Sequence, residues 1–111
     1  MIDLNNLKFI GNNLKRPECV LVDKEETLHV ADWRGGITLI YKNGVQKTIL
    51  ANGSFKPKPN GIAILPDGNW LITHLGDEDG GVFKLKRDGE LIPFLLEVNG
   101  VKIPPTNYVH I

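Results

Sequence analysis

Three polar side chains each stand at the start of an apolar stretch of this sequence. Glu18 precedes "CVLV", Asn60 precedes "GIAIL" and Asn107 precedes "YVHI". Glu18 and Asn60 are 42 residues apart, and Asn60 and Asn107 are 47 residues apart. Carboxylate and amide oxygens are the ligands that Ca²⁺ and Mg²⁺ prefer. The chemistry open to these residues is therefore cation binding, provided that the fold brings them together.

The segments between these residues repeat at a similar period. "LHVADW" from Leu28 matches "WLITHL" from Trp70, and "ITLIYKNG" from Ile37 matches "VFKLKRDG" from Val82. Runs rich in Val, Ile and Leu that are separated by Asn-Gly or Asp-Gly are typical of β-hairpins. No helix is expected, because 12 Gly and 7 Pro are scattered along the chain and no apolar stripe with a 3.6-residue period is sustained. Four short strands every ~40–45 residues is the period of a β-propeller.

The sequence therefore predicts an all-β fold, a partial β-propeller with about two four-stranded antiparallel blades and the first strand of a third. A complete propeller has roughly 4–8 blades, so the rest of the ring is expected to come from outside this polypeptide. The predicted units are an N-terminal segment at 1–15 in which "LKFIG" adds an outer strand, blade 1 at 16–50, a linker at 51–59, blade 2 at 60–96, and a linker with the first strand of blade 3 at 97–111.

The first, inner strand of each unit is predicted to be covered on both faces. "CVLV" and "GIAIL" are apolar at nearly every position, whereas a strand with one solvated face alternates between apolar and polar residues. In a propeller the inner strand lies between neighbouring blades and starts at one mouth of the central channel. Glu18, Asn60 and Asn107 are thus expected to converge across that mouth.

The turns between the second and third strands should open at the same mouth. They are "DWRGG" in the first unit and "THLGDEDGG" in the second. The link that leads into the second inner strand, "NGSFKPKP", lies there too. The candidates for substrate contact at this end are Arg34, Phe55, Asn60 and His74.

The stretches "RPECVLVDKEETLHVADWRGGITLI" and "KPNGIAILPDG" to "PPTNYVHI" resemble the opening part of the SMP-30/gluconolactonase/luciferin-regenerating-enzyme family. The resemblance covers nearly all of residues 16–111, which is about the first third of a family member. It implies a six-bladed propeller in which Glu18 is a metal ligand and Asn107 contacts metal or substrate. The sequence departs from the family pattern at Cys19-Val20, where Gly-Pro is frequent, and at Tyr108, where Asp is usual.

The resemblance implies a divalent-metal-dependent hydrolase of lactones or related esters, with Ca²⁺ as the first choice of metal and Zn²⁺, Mg²⁺ or Mn²⁺ as alternatives. The cation would polarise the lactone carbonyl and lower the pKa of a bound water. Ca²⁺ collects ~6–8 oxygens, so two side-chain ligands are few, and this chain alone is predicted to have little or no activity.

Two other functions are compatible with the same pattern, so whether the chain is part of an enzyme is left open. One is a non-enzymatic binding propeller of the NHL or strictosidine-synthase-like kind. The other is a short chain that self-assembles, since three copies with two blades each would close a six-bladed ring.

Composition excludes several classes of function. Thirteen Lys and Arg balance thirteen Asp and Glu, so no charge excess favours nucleic acid or an anionic membrane. No apolar run approaches the ~20 residues of a membrane span, and no secretory signal is recognisable. The single Cys19 fits a reducing, cytoplasmic location. Serine-hydrolase, nucleotide-binding and zinc-finger motifs are absent from the sequence.

Overall fold

The computed structural model describes every residue from Met1 to Ile111 and contains ten β-strands and one 3₁₀ turn. The 3₁₀ turn is Leu4–Asn6, and the strands are β1 (Val20–Val22), β2 (Leu28–Asp32), β3 (Gly36–Ile40), β4 (Gln46–Leu50), β5 (Pro59–Ile64), β6 (Trp70–His74), β7 (Val82–Leu85), β8 (Leu91–Leu95), β9 (Glu97–Val98) and β10 (Val101–Lys102). Nowhere does the chain form a helix long and apolar enough to cross a membrane.

Eight of the strands form two four-stranded antiparallel sheets. Sheet 1 has the order β1-β2-β3-β4 and sheet 2 has the order β5-β6-β7-β8, while β9 and β10 pair as a separate hairpin. The prediction of an all-β chain with antiparallel four-stranded units is confirmed. Pro93 lies in the edge strand β8, where a missing N–H costs least.

Equivalent turns close the third and fourth strands of the two sheets. Gly44 and Gly89 have φ angles of +88° and +93°, a region that glycine adopts without steric cost. The side chain of Asn43 accepts a hydrogen bond from the N–H of Val45, and that of Asp88 accepts one from Glu90. The Asn-Gly and Asp-Gly pairs therefore form hairpins, as the sequence predicted.

The two sheets pack against each other through β2 and β5 and enclose one apolar core. Trp70 is completely buried there, and its indole N–H donates to Nδ1 of His29 at 2.8 Å. His29 Nε2 in turn lies 2.8 Å from a carboxylate oxygen of Asp23. A chain of polar contacts thus ties sheet 2 to sheet 1. The core consists of Cys19, Ala31, Ile37, Leu39, Ile49, Ala51, Ile62, Trp70, Ile72, Phe83 and Leu85.

The two inner strands are covered to different extents. β5 is buried along almost its whole length, as predicted, because sheet 1 covers one face and residues 107–109 cover the other. β1 is covered on one face only. Val20 and Val22 point away from the core and are 51% and 62% exposed, so the prediction that both faces are covered fails for β1.

Two predicted strands do not form, and one hairpin forms that was not predicted. Residues 7–11, predicted as an outer strand, form no strand, and Phe9 is fully exposed. Residues 107–111, predicted as the first strand of a third unit, lie along β5 but pair as no strand. The hairpin β9–β10 occupies part of the stretch predicted as a linker.

Candidate functional site

The predicted site residues lie at one edge of the two sheets, which we call the upper edge. It comprises the starts of β1 and β5, the β2–β3 and β6–β7 turns, and the segments on either side of the β9–β10 hairpin. The Nζ atom of Lys58, just before β5, lies 5.5 Å from the ring centre of Trp33, just after β2. This contact shows that β1 and β5 start at the same edge.

Asn60 and Asn107 are in direct contact at the upper edge. Asn60 Nδ2 donates to the backbone carbonyl of Asn107 at 3.2 Å and also to its side-chain Oδ1. The Thr73 hydroxyl lies 3.3 Å from the same backbone carbonyl and accepts from the N–H of Gly61 at 2.9 Å. A Cβ atom on Gly61 would lie 2.6 Å from the Cα of Tyr108, so only glycine allows the two segments to approach this closely.

The side-chain oxygen of Asn60 is buried and has no hydrogen-bond partner. The orientation of the amide is fixed, because the backbone carbonyl of Asn107 must face Nδ2 and not Oδ1. A buried acceptor without a partner costs about 1–3 kcal/mol. Asn60 Oδ1 is therefore the atom at this edge that most needs a donor or a cation.

Glu18 is at the upper edge but is joined to neither asparagine. Its Oε1 accepts hydrogen bonds from the Arg16 guanidinium, with Nε at 2.9 Å. The same guanidinium lies over the ring of Trp33, 4.1 Å from its centre. Arg16, which the sequence analysis missed, thus holds the Glu18 carboxylate in place; its position two residues before Glu18 was the available signal.

Arg34 lies at the upper edge with its side chain committed to Asp32. Nε and Nη2 donate to the two carboxylate oxygens at 2.9 and 2.7 Å. Burial alone would raise the pKa of Asp32, but the hydrogen bonds and positive charge of Arg34 hold this pKa below its usual value. The same contacts raise the pKa of Arg34. Part of the guanidinium remains at the surface, where the side chain is 38% exposed.

His74 is almost fully buried, and both of its ring nitrogens are in contact with neighbours. Nδ1 accepts from the backbone N–H of Lys58 at 3.0 Å, so the ring proton lies on Nε2, 3.2 Å from the Asp79 carboxylate. The ring also packs edge-on against Phe55, at 5.3 Å between centroids. His74 therefore holds three segments of the upper edge together.

A cleft of about 560 Å³ opens at the upper edge, between the β6–β7 turn and the β9–β10 hairpin. Phe55 and Phe83 line it, with ring centroids 5.5 Å apart. Phe55 was predicted from the sequence as a substrate contact, but the cleft itself was not. The hairpin that forms one wall turns at Asn99-Gly100, whose φ angles are +51° and +78°. This Asn-Gly pair is a turn signal of the same kind as Asn43-Gly44, and it was overlooked in the sequence.

The chemistry of the donor atoms fits a hard divalent cation. Glu18 supplies a carboxylate, and Asn60 and Asn107 supply amide oxygens, of which Asn60 Oδ1 has no partner. The chain contains no group of three His, Cys, Asp or Glu side chains placed to hold a metal ion. Any cation at this edge would therefore depend on amide oxygens as much as on carboxylates.

The fold defines the chain as an antiparallel all-β protein with two four-stranded units. No family model matches its sequence, and no curated protein matches it.

Proposed function

We propose that the two sheets are neighbouring blades of a β-propeller. The sequence repeat of 42 residues between matching second strands supports this, because each repeat corresponds to one four-stranded sheet. The packing of β5 on β2 and the shared upper edge of β1 and β5 are the relations expected of adjacent blades. The exposed Val20 and Val22 offer an apolar face to a further blade. Under this proposal, the other blades come from other sequence or from further copies of this chain.

We further propose that the assembled propeller resembles the SMP-30/gluconolactonase family in function and hydrolyses lactones or related esters with a divalent metal. The observation that carries the proposal is the buried, unpartnered oxygen of Asn60 at the edge where Glu18 and Asn107 also lie. An oxygen that lacks a donor is stabilised by a cation, and its neighbours at this edge bring further oxygen ligands.

Each residue then has a distinct role. Glu18 and Asn107 hold the cation, and Asn60, predicted from the sequence as a substrate contact, adds its amide oxygen. When bound, the cation supplies Lewis acidity for a carbonyl group and for water. The N–H groups of the Asn60 amide orient Asn107, and Arg16 orients the Glu18 carboxylate.

Arg34 is proposed to contact the substrate from the β2–β3 turn, whereas His74, also predicted from the sequence as a substrate contact, is buried and acts on the site indirectly. Two hydrogen bonds hold the Arg34 guanidinium to Asp32, and its exposed part is free to contact an oxygen of the substrate. The role of His74 is to fix the positions of Lys58 and Asp79 at the upper edge through its two ring nitrogens.

The metal proposal is tested by Ca²⁺ titration followed by ¹H–¹⁵N NMR spectroscopy. The side-chain amide signals of Asn60 and Asn107 should shift saturably, with a dissociation constant on the order of 1 mM, which is the weak end of the range for protein calcium sites. Glu18→Gln and Asn60→Ala should each abolish the shifts. Glu90→Gln, at the opposite edge and paired with Lys86, is the matched control and should leave them unchanged.

Two results would contradict the metal proposal. One is that Ca²⁺, Mg²⁺, Mn²⁺ and Zn²⁺ all fail to move the Asn60 and Asn107 signals. The other is that Glu18→Gln binds the metal as tightly as the original chain. For the catalytic part, metal-dependent hydrolysis of an aliphatic lactone by the assembled propeller should be lost with Glu18→Gln, and unchanged turnover would exclude the assignment.

A non-enzymatic binding propeller is the second candidate, and the pairing of Glu18 with Arg16 favours it. A carboxylate already neutralised by a guanidinium is a poorer cation ligand than a free one. A folded chain without metal binding at the upper edge would support this alternative.

Light scattering distinguishes the self-assembling form from a monomer, since a trimer has three times the 12.3 kDa mass of one chain.

A further inference from the structure

The cleft at the upper edge has walls from three separate segments. The β6–β7 turn supplies one wall, the β9–β10 hairpin supplies another, and the link into β5 supplies Phe55. The backbone fixes these walls: Thr106 N–H donates to the carbonyl of His74 at 2.9 Å, and Gly81 N–H donates to the hydroxyl of Thr106 at 2.9 Å. The volume of about 560 Å³ is within the ~300–1,000 Å³ typical of small-molecule sites.

The floor of the cleft is aromatic and aliphatic. Phe83 is buried, whereas Phe55 is 43% exposed and presents part of its ring to the cleft. Leu96 and Ile103 complete the apolar surface. An apolar body of a ligand would be removed from water here, and the face of an aromatic ring also attracts cations.

The rim of the cleft is acidic. Glu78, Asp79 and Glu97 line it against a single Lys102. No basic side chain pairs with Glu78 or Glu97, although the chain forms eight other ion pairs or His–carboxylate contacts. Asp79 contacts His74, which keeps one rim carboxylate in a fixed place. The charge on the rim is therefore net negative, with Lys102 directly across the β9–β10 pair from Glu97 as its one positive charge.

We propose that this cleft binds a small organic cation, an ammonium or guanidinium group attached to a compact apolar or aromatic body. The apolar body lies on Phe55 and Phe83, and the cationic group lies between the carboxylates of Glu78 and Glu97. A simple anion is disfavoured by the rim, and a hydrated metal ion has no apolar body to bury on the aromatic floor. This site uses none of the proposed metal ligands, so its ligand binding can be measured without a metal ion.

The test compares three probes that share one apolar body and differ in charge: phenethylammonium, 2-phenylethanol and phenylacetate. NMR titrations in the presence of a chelator give the three affinities without any metal. Phenethylammonium should bind about three- to fivefold more tightly than the neutral alcohol at low salt, and phenylacetate should bind most weakly. The preference for the cation should shrink in 1 M salt, since screening acts on exposed charges.

Paired variants separate the two parts of the site. Phe55→Ala should weaken all three probes, whereas Phe94→Ala, on an exposed side chain of β8 outside the cleft, should weaken none. The double variant Glu78→Gln with Glu97→Gln should remove the preference for the cation and leave the alcohol unchanged, while Glu90→Gln is its control. Equal affinity for the three probes, or a cation preference that survives the double variant, would overturn the proposal. Neither outcome bears on Ca²⁺ binding at Glu18 and Asn60.

Discussion

The turns that follow the second strand of each sheet occupy equivalent positions but are stabilised differently. In sheet 1, Asp32 is completely buried at the end of β2, and its carboxylate accepts hydrogen bonds from the turn that follows. It accepts hydrogen bonds from the backbone N–H and the guanidinium of Arg34, and from the hydroxyl of Thr38 at 3.2 Å. The negative charge is neutralised inside the turn, and the turn closes on itself.

In sheet 2, the residue 42 positions later is His74, and one of its two polar partners lies outside its own strand pair. One ring nitrogen contacts the backbone that enters β5. The other contacts Asp79 in the β6–β7 turn, which has seven residues where the β2–β3 turn has three. Glu78, Asp79 and Gly80 of the longer turn line the cleft. At equivalent positions, a short turn that is closed by Asp32 thus leaves no cleft, whereas a longer turn held by His74 lies beside one.

Gly36, at the start of β3, and Gly80, in the β6–β7 turn, are the positions where a substitution should show the largest difference between the two regions. A Cβ on Gly36 would lie 1.9 Å from the carbonyl oxygen of Ile49 in the paired strand β4, and a Cβ on Gly80 would lie 1.8 Å from that of Pro104. We expect Gly36→Ala to lower the free energy of unfolding by about 3 kcal/mol, because β3 and β4 must separate. Gly80→Ala should cost about 1 kcal/mol, because Pro104 lies in irregular chain that can shift.

Urea denaturation followed by circular dichroism measures both glycine variants. Gly80→Ala should also weaken the binding of phenethylammonium, since the shift of Pro104 changes a wall of the cleft. Equal destabilisation by the two substitutions would mean that the sheet 2 turn is as rigid as the sheet 1 turn. The contrast drawn between the two regions would then be wrong.

Removal of the charge at Asp32 should have the next largest effect. Asp32→Asn replaces charge-assisted hydrogen bonds and places an NH₂ group among donors, so the free energy of unfolding should fall by about 2 kcal/mol. The loss is limited because Arg34 can turn to solvent. His74→Phe keeps an aromatic ring and loses both contacts of the imidazole, at a cost of about 1 kcal/mol. A larger loss for His74→Phe, measured by the same urea titration, would reverse the ranking of the two turns.

The repeats and hairpins could be predicted from the sequence because their causes are local. Asn43-Gly44 and Asp88-Gly89 adopt their turns through their own φ preferences and side-chain contacts, and the apolar runs beside them pair in order. The segment "LKFIG" has the composition of a strand, but a strand needs a partner, and no unpaired edge of this chain takes it. Pairing across distance is a tertiary property that composition does not encode.

The candidate site was predictable to the extent that it depends on the spacing of the sequence repeat. The 47 residues between Asn60 and Asn107 indicated that the two side chains meet, and they do. Two features could not be predicted in this way: the ion pair between Arg16 and Glu18, and the contacts of both ring nitrogens of His74. They depend on side-chain rotamers and on the path of neighbouring loops. The unpartnered oxygen of Asn60 follows from the contact that fixes its nitrogen, which no pattern of residue types reveals.

The smallest expected effect is the pH dependence that Asp32 contributes. Its pKa in the folded chain lies below the unfolded value of about 3.9, so the unfolded chain takes up this proton first as the pH falls. The stabilisation by Asp32 is complete above pH ~4 and is lost as the pH drops through the lower folded pKa. The original chain and Asp32→Asn share every other titrating group, so the difference between their free energies of unfolding isolates this carboxylate. That difference, measured by urea titrations from pH 7 to pH 2, should stay constant down to about pH 4 and then narrow. A difference that stays constant to pH 2 would mean that Arg34 and the turn do not stabilise the ionised form of Asp32.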